Sequence, residues 1–191
     1  MRKKVIVYLC LVVMASGATA DGLAVVSPQG PLPSVVTTDI KTDKDAAADL
    51  CNYLSRVSSR KITVATTAAD EGMVIHVGRD PFVNKNAPEI DKLFADGYIV
   101  KSIQSGGRHH LILAGKDDPS SQWAVEQFLK DYCGVRWLFP DPKYGEVVPS
   151  RPTIKIASTL SKTYEPDYRS RTNVGMYYFN PGGTYLRLRP R

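Results

Sequence analysis

Apolar residues along this chain fall into short runs and helical stripes, separated by turn residues. Residues 34–38 (Ser-Val-Val-Thr-Thr) are β-branched and predict a short strand. From 43 to 58, Ala47, Leu50, Cys51, Leu54 and Val57 recur at three- and four-residue spacing. That spacing predicts a helix with one apolar face, capped by Thr42 or Asp43. Residues 62–66 predict a second strand. The apolar run 73–78 ends in glycine and suits a strand buried on both faces. A loosely helical stretch leads to Phe94, and Asp96-Gly97 turns the chain. Residues 98–103 and 109–114 read as partner strands, joined by a hairpin turn at Ser105-Gly106-Gly107. A second helix over 119–132 lines up Ala124, Val125, Phe128, Leu129 and Tyr132, with Asp118 near its start and Gly134 as its stop. Beyond it, 135–140 is extended and aromatic, and 147–149 and 153–156 predict short strands.

This order of elements gives an α+β fold, an α/β sandwich: a mixed sheet of about five to seven strands with two main helices packed on it. The pattern divides the chain. Residues 1–20 combine Arg2, Lys3 and Lys4 with an apolar stretch and the small residues Ala18-Thr19-Ala20. They read as a secretory signal peptide cleaved after Ala20, too short to span a bilayer. Residues 21–34 are an extended lead-in, 35–158 the folded domain, and 159–191 the start of something else. The protein is therefore expected to be secreted or periplasmic, with no stable membrane anchor after cleavage.

Composition changes this picture little. The 43% hydrophobic and 23% charged shares are those of a globular protein. Setting aside the three basic leader residues lowers the net charge from +6 to +3. No basic block remains, which argues against nucleic acid as a partner. Cys51 and Cys133 fall on apolar helix faces, where they either pair as a disulfide or serve as small buried hydrophobes. No CxxC or HExxH spacing points to a metal, and nothing calls for a cofactor.

Catalytic groups are hard to find. His76 sits within a buried strand run and reads as a structural histidine. His109 and His110 begin a strand, where neighbours face opposite sides, so the two do not grip one metal. The carboxylates Asp117, Asp118, Asp131 and Asp141 are scattered, without the facing pair that glycoside hydrolysis requires.

One ordered set of motifs is distinctive. It comprises Ile75-His76-Val77-Gly78, Asp96-Gly97-Tyr98-Ile99-Val100, a strand ending at Gly115, then Ala124, Phe128-Leu129, Gly134-Val135-Arg136-Trp137 and Phe139-Pro140. Together these resemble the N-terminal, non-catalytic α/β domain of α-glucuronidases, β-hexosaminidases and their secreted relatives. The resemblance covers the domain at 35–158. It implies that a (β/α)8 barrel carrying the catalytic carboxylates follows. Pro166 to Arg171 resembles the opening of the first barrel strand, and residues 185–189 the first barrel helix, cut short. By that likeness Arg171 is a sugar-contacting candidate. Arg136 and Trp137 are candidates for a sugar-facing rim, with packing at the domain exit as their other reading; Phe139 is expected to bury aromatic area there. The implied role is an accessory domain of a secreted glycoside hydrolase, inactive alone, whose carbohydrate partner is met through the barrel. A free-standing carbohydrate-binding or interaction module is the alternative.

Overall fold

The structure, a computed structural model, describes residues 22–139, 141 and 144–166. In chain order the strands are β1 (Gly22–Val26), β2 (Ser34–Thr37), β3 (Val74–Val77), β4 (Tyr98–Ser105), β5 (Arg108–Gly115), β6 (Arg136–Trp137), β7 (Glu146–Val147), β8 (Ile154–Ala157) and β9 (Ser161–Tyr164). The helices are α1 (Lys41–Ser58), α2 (Pro81–Asn86) and α3 (Ser120–Phe128); a 3-10 turn, Pro88–Lys92, follows α2 and a π-helical turn, Leu129–Cys133, follows α3.

The main sheet has five strands in the order β2-β3-β5-β4-β9. The first three run parallel, and β4 lies antiparallel to both β5 and β9. This is the mixed α+β architecture expected from the sequence. β1 pairs with β8 and β6 with β7 as two small antiparallel ribbons.

Strand alternation divides the core between the two faces of the sheet. Val35, Ile75, Val77, Val100, Leu111 and Leu113 face α1 and α3 and belong to the main core. Ile99, Ile112 and Ala114 face the other way and pack on Val83, Ala87 and Ile90 of α2 and its 3-10 turn. The period-2 side-chain rule accounts for the split, since 111 and 113 oppose 112 and 114. Phe128, Leu50 and Leu54 are fully buried, each contributing about 1.5–3 kcal/mol from apolar area removed from water.

Several details depart from the sequence reading. The stretch 62–66 makes only a single parallel bridge, Val35 to Val64, instead of a strand. Its backbone is tied at Ala65 N–H to Val35 C=O (2.8 Å) and then bends away. Neither Thr42 nor Asp43 caps α1; Ile40 holds the N-cap position, and Asp43 is buried in the first turn, accepting from Thr38 Oγ1 at 2.5 Å. The second helix is not α-helical to Tyr132. It widens into the π turn after Phe128, which lets Phe128, Leu129 and Cys133 all become fully buried. Gly134 ends it with φ +76°, the left-handed stop expected of it. β9 continues the main sheet as far as Tyr164, and β1 shows that the lead-in segment is also paired.

Candidate functional site

Two parallel strands deliver the site. After β2 the chain passes through Thr38, Asp39 and Ile40 into α1 on one face of the sheet. After β3 it passes through Gly78, Arg79 and Asp80 into α2 on the opposite face. The two loops leave the strands' carboxyl ends in opposite directions, so a crevice opens between them. In open sheets this is where ligands sit. The cleft has a volume of about 730 Å³. Thr37, Thr38, Asp39 and Lys44 form one wall, and Arg79, Asp80 and Pro81 the other; Val64, Ala65 and Thr66 close the side.

Asp80 forms the inner part of one wall. Its Oδ1 accepts from Val83 N–H at 2.8 Å and so caps α2, with Pro81 at the first helical position. Its Oδ2 lies 2.6 Å from His76 Nδ1. His76 Nε2 in turn lies 3.0 Å from Nδ1 of His110. With both imidazoles neutral, the network assigns Nδ1–H of His110 to His76, and Nδ1–H of His76 to Asp80. Phe82 stacks on both rings, at 4.4 Å from His76 and 4.2 Å from His110.

Burial pushes the Asp80 carboxyl up, but the hydrogen bond from His76 and the backbone N–H groups of Val83 and Phe82 more than offset it. Asp80 is held below its ordinary value of 3.8 and stays ionised. Burial also holds His110 below its ordinary 6.5, reinforced by His76 and Arg108 nearby. Asp80, His76 and His110 thus form a continuous hydrogen-bonded line that begins in the cleft wall at Asp80. Among the described residues no serine hydroxyl or cysteine thiol joins it. Cys51 and Cys133 are free and buried, and desolvation raises Cys51 to about 11 and Cys133 to about 12, so neither is a nucleophilic thiolate at neutral pH.

His76 is the buried, satisfied histidine that its place in the strand predicts. The sequence reading missed that His110 is its partner. The two lie on non-adjacent chain segments and meet because β3 and β5 are parallel neighbours whose register sets Val74 against His110 and His76 against Ile112. On one sheet face, residues diagonal across that register are within reach of long side chains. The one local signal was the Asp-Pro pair at 80–81, a helix-start signature four residues after His76.

The other candidates lie elsewhere. Trp137 is half-buried; its indole N–H donates to Tyr53 Oη at 2.8 Å and its ring meets Tyr53 edge-on. Arg136 donates to the carbonyls of Lys130 (2.6 Å) and Val135 (2.8 Å), which caps the π turn. Both are therefore engaged in holding the exit from α3. Phe139 does not bury aromatic area as expected. It is 54% exposed, because it lies in the loop that joins β6 to β7. Arg171 lies outside the described residues. The scattered carboxylates are used locally: Asp118 accepts from Thr42, Asp131 from Tyr164 Oη (3.0 Å), and Asp141 from Tyr144 N–H (2.6 Å). Among the described residues no group of three His, Cys, Asp or Glu side chains could hold a metal ion.

The sequence matches no protein-family model, and no curated protein aligns with it significantly. Among solved structures, a family GH115 4-O-methyl-α-glucuronidase with specificity for decorated arabinogalactans superposes with a TM-score of 0.48 at 12% identity. That superposition covers 75% of this chain, which spans only 18% of the enzyme.

Proposed function

We propose that this chain contributes a non-catalytic accessory domain to a secreted glycoside hydrolase whose catalytic unit hydrolyses O-glycosidic bonds of a polysaccharide or glycan. One observation carries the reading. The Gly-Val-Arg-Trp-x-Phe segment that bears the family resemblance is braced on the domain and then presents its apolar residues outward. Trp137 is fixed by Tyr53, whose hydroxyl donates to Glu146 Oε1 at 2.5 Å; Arg56 Nη1 holds the other Glu146 oxygen at 3.0 Å. Leu138, Phe139 and Tyr144 stand just beyond, 59%, 54% and 64% exposed. A rigid ribbon that displays large apolar side chains suits a face packed against a neighbouring domain. The carbohydrate partner is then met by the catalytic unit, with Arg171 its first contact.

Two measurements test the reading. The reading frame that contains this chain is expected to encode a segment with repeated β/α periodicity after the accessory domain. The purified chain is expected to cleave aryl glucuronides and aryl N-acetylhexosaminides no faster than buffer. A stop codon at 191 with no hydrolase alongside, or turnover by the chain itself, overturns it.

A further inference from the structure

We propose that the cleft between the β2–α1 and β3–α2 loops binds an uncharged, hydroxyl-rich ligand the size of one or two sugar units. This goes beyond the accessory-domain reading, because it places a ligand on this domain itself and needs no neighbouring domain.

Three features of the cleft select that chemistry. The first is place and size. It sits where consecutive parallel strands send their helices to opposite faces, and its roughly 730 Å³ lies within the ~300–1,000 Å³ of small-molecule sites.

The second is charge. At such a crevice a phosphate would rest on a glycine-rich turn at the first helix's N-terminus. Here the turn is Thr38-Asp39-Ile40, without glycine. The anion's place near the start of α1 is taken by the protein's own carboxylate, Asp43, which is buried in the first turn. Gly78, at φ +92°, leaves room for it: a Cβ there would run into the Asp43 carboxylate. The remaining lining charges balance, Lys44 and Arg79 against Asp39 and Asp80, and Lys44 pairs with Asp39 at 2.9 Å and Arg79 with Asp91 at 2.7 Å. A charged ligand finds no net opposite charge beside these pairs. A hydroxyl both donates and accepts, so it adds to them through their unused lone pairs and N–H groups.

The third is the apolar part of the lining: Val64, 42% exposed, and Pro81 offer a small apolar surface to the C–H face of a sugar ring.

The experiment titrates the full chain with xylose, galactose, glucose and xylobiose, and separately with sodium glucuronate and inorganic phosphate, following backbone amide shifts by NMR. Expected are saturable shifts at Thr38, Asp39 and Arg79 with at least one neutral sugar. Thr66→Trp, at an exposed position on the cleft's side, is expected to weaken that binding at least about tenfold without changing Tm, by filling the space. Asp39→Asn, at the fully exposed partner of Lys44, serves as the second variant if the first misfolds and is expected to weaken binding in the same direction. The proposal is overturned if no neutral sugar saturates, if glucuronate or phosphate binds more tightly, or if the folded variants bind as the wild type does. These outcomes are separate from the reading-frame and turnover tests, so either conclusion can fail alone.

Discussion

Asp80 shows how much one residue can connect. It caps α2, anchors His76 and forms part of a cleft wall, and only the first of these was visible in the sequence, through the Asp-Pro pair. The histidines were visible as residues but not as partners, because their meeting depends on which strands pair and in what register. The arrangement has a pH signature. The folded-state value of His110 lies below its ordinary 6.5, so on acidification the unfolded chain takes up the proton first. Stability from this group is therefore present above about pH 6.5 and declines as pH falls from there through the lower folded value. The midpoint of urea unfolding is expected to drop across that window, and His110→Gln to flatten the drop. Asp80 acts separately and at lower pH, since its contribution is kept above 3.8 and lost as pH falls through its depressed folded value. An unfolding midpoint that is flat from pH 7 to 5 in the wild type would contradict the His110 assignment.

At the scale of elements, periodicity found what local physics controls and missed what pairing controls. The apolar stripe of α1, the buried run of β3 and the β4–β5 hairpin were all legible. Gly106 and Gly107 take φ +58° and +76°, as a tight hairpin requires. The stretch 62–66 has strand composition yet makes one bridge, because it lies beyond β2 at the sheet's margin with no further partner among the described residues. The β9 strand, Ser161–Tyr164, is exposed and polar, so nothing in its pattern announced that β4 would accept it as an edge. The end of α3 tests the same distinction energetically. Gly134 stops the π turn in left-handed geometry, and a Cβ there would sit 3.0 Å from the end of the long Arg151 side chain and 3.2 Å from Pro149 Cγ, contacts that a shift of a few tenths of an ångström relieves. The cost of Gly134→Ala is therefore mainly backbone strain, about 1–2 kcal/mol, and Gly134→Asn should cost less, since Asn tolerates this conformation. Urea unfolding of the two variants measures both. Equal losses would mean that crowding, rather than φ, sets the requirement for glycine.

For the whole molecule, the sequence supported the sandwich architecture because two helices and a run of strands admit few packings, whereas the cleft could not be read from it. The cleft exists because α1 and α2 leave adjacent strands toward opposite faces, a property of topology that no local motif encodes. The exit ribbon is the converse case: its motif was conspicuous, but the motif did not say which aromatics pack and which face outward. The structure divides them, with Trp137 braced by Tyr53 and Leu138, Phe139 and Tyr144 displayed. The ribbon's loop is tied down by Leu138 N–H to Gly145 C=O at 2.7 Å and Gly145 N–H to Asp141 C=O at 2.9 Å, so the apolar residues are held out in a fixed array. A fixed apolar array without its covering domain should be adhesive. The isolated chain is thus expected to bind a hydrophobic dye and to self-associate with rising concentration in sedimentation velocity. The double variant Leu138→Lys, Phe139→Lys should abolish both while changing stability by less than about 0.5 kcal/mol, because both side chains are already more than half in water. A wild-type chain that binds no dye and stays monomeric would leave this ribbon with nothing to cover, and would remove the observation on which the accessory-domain reading rests.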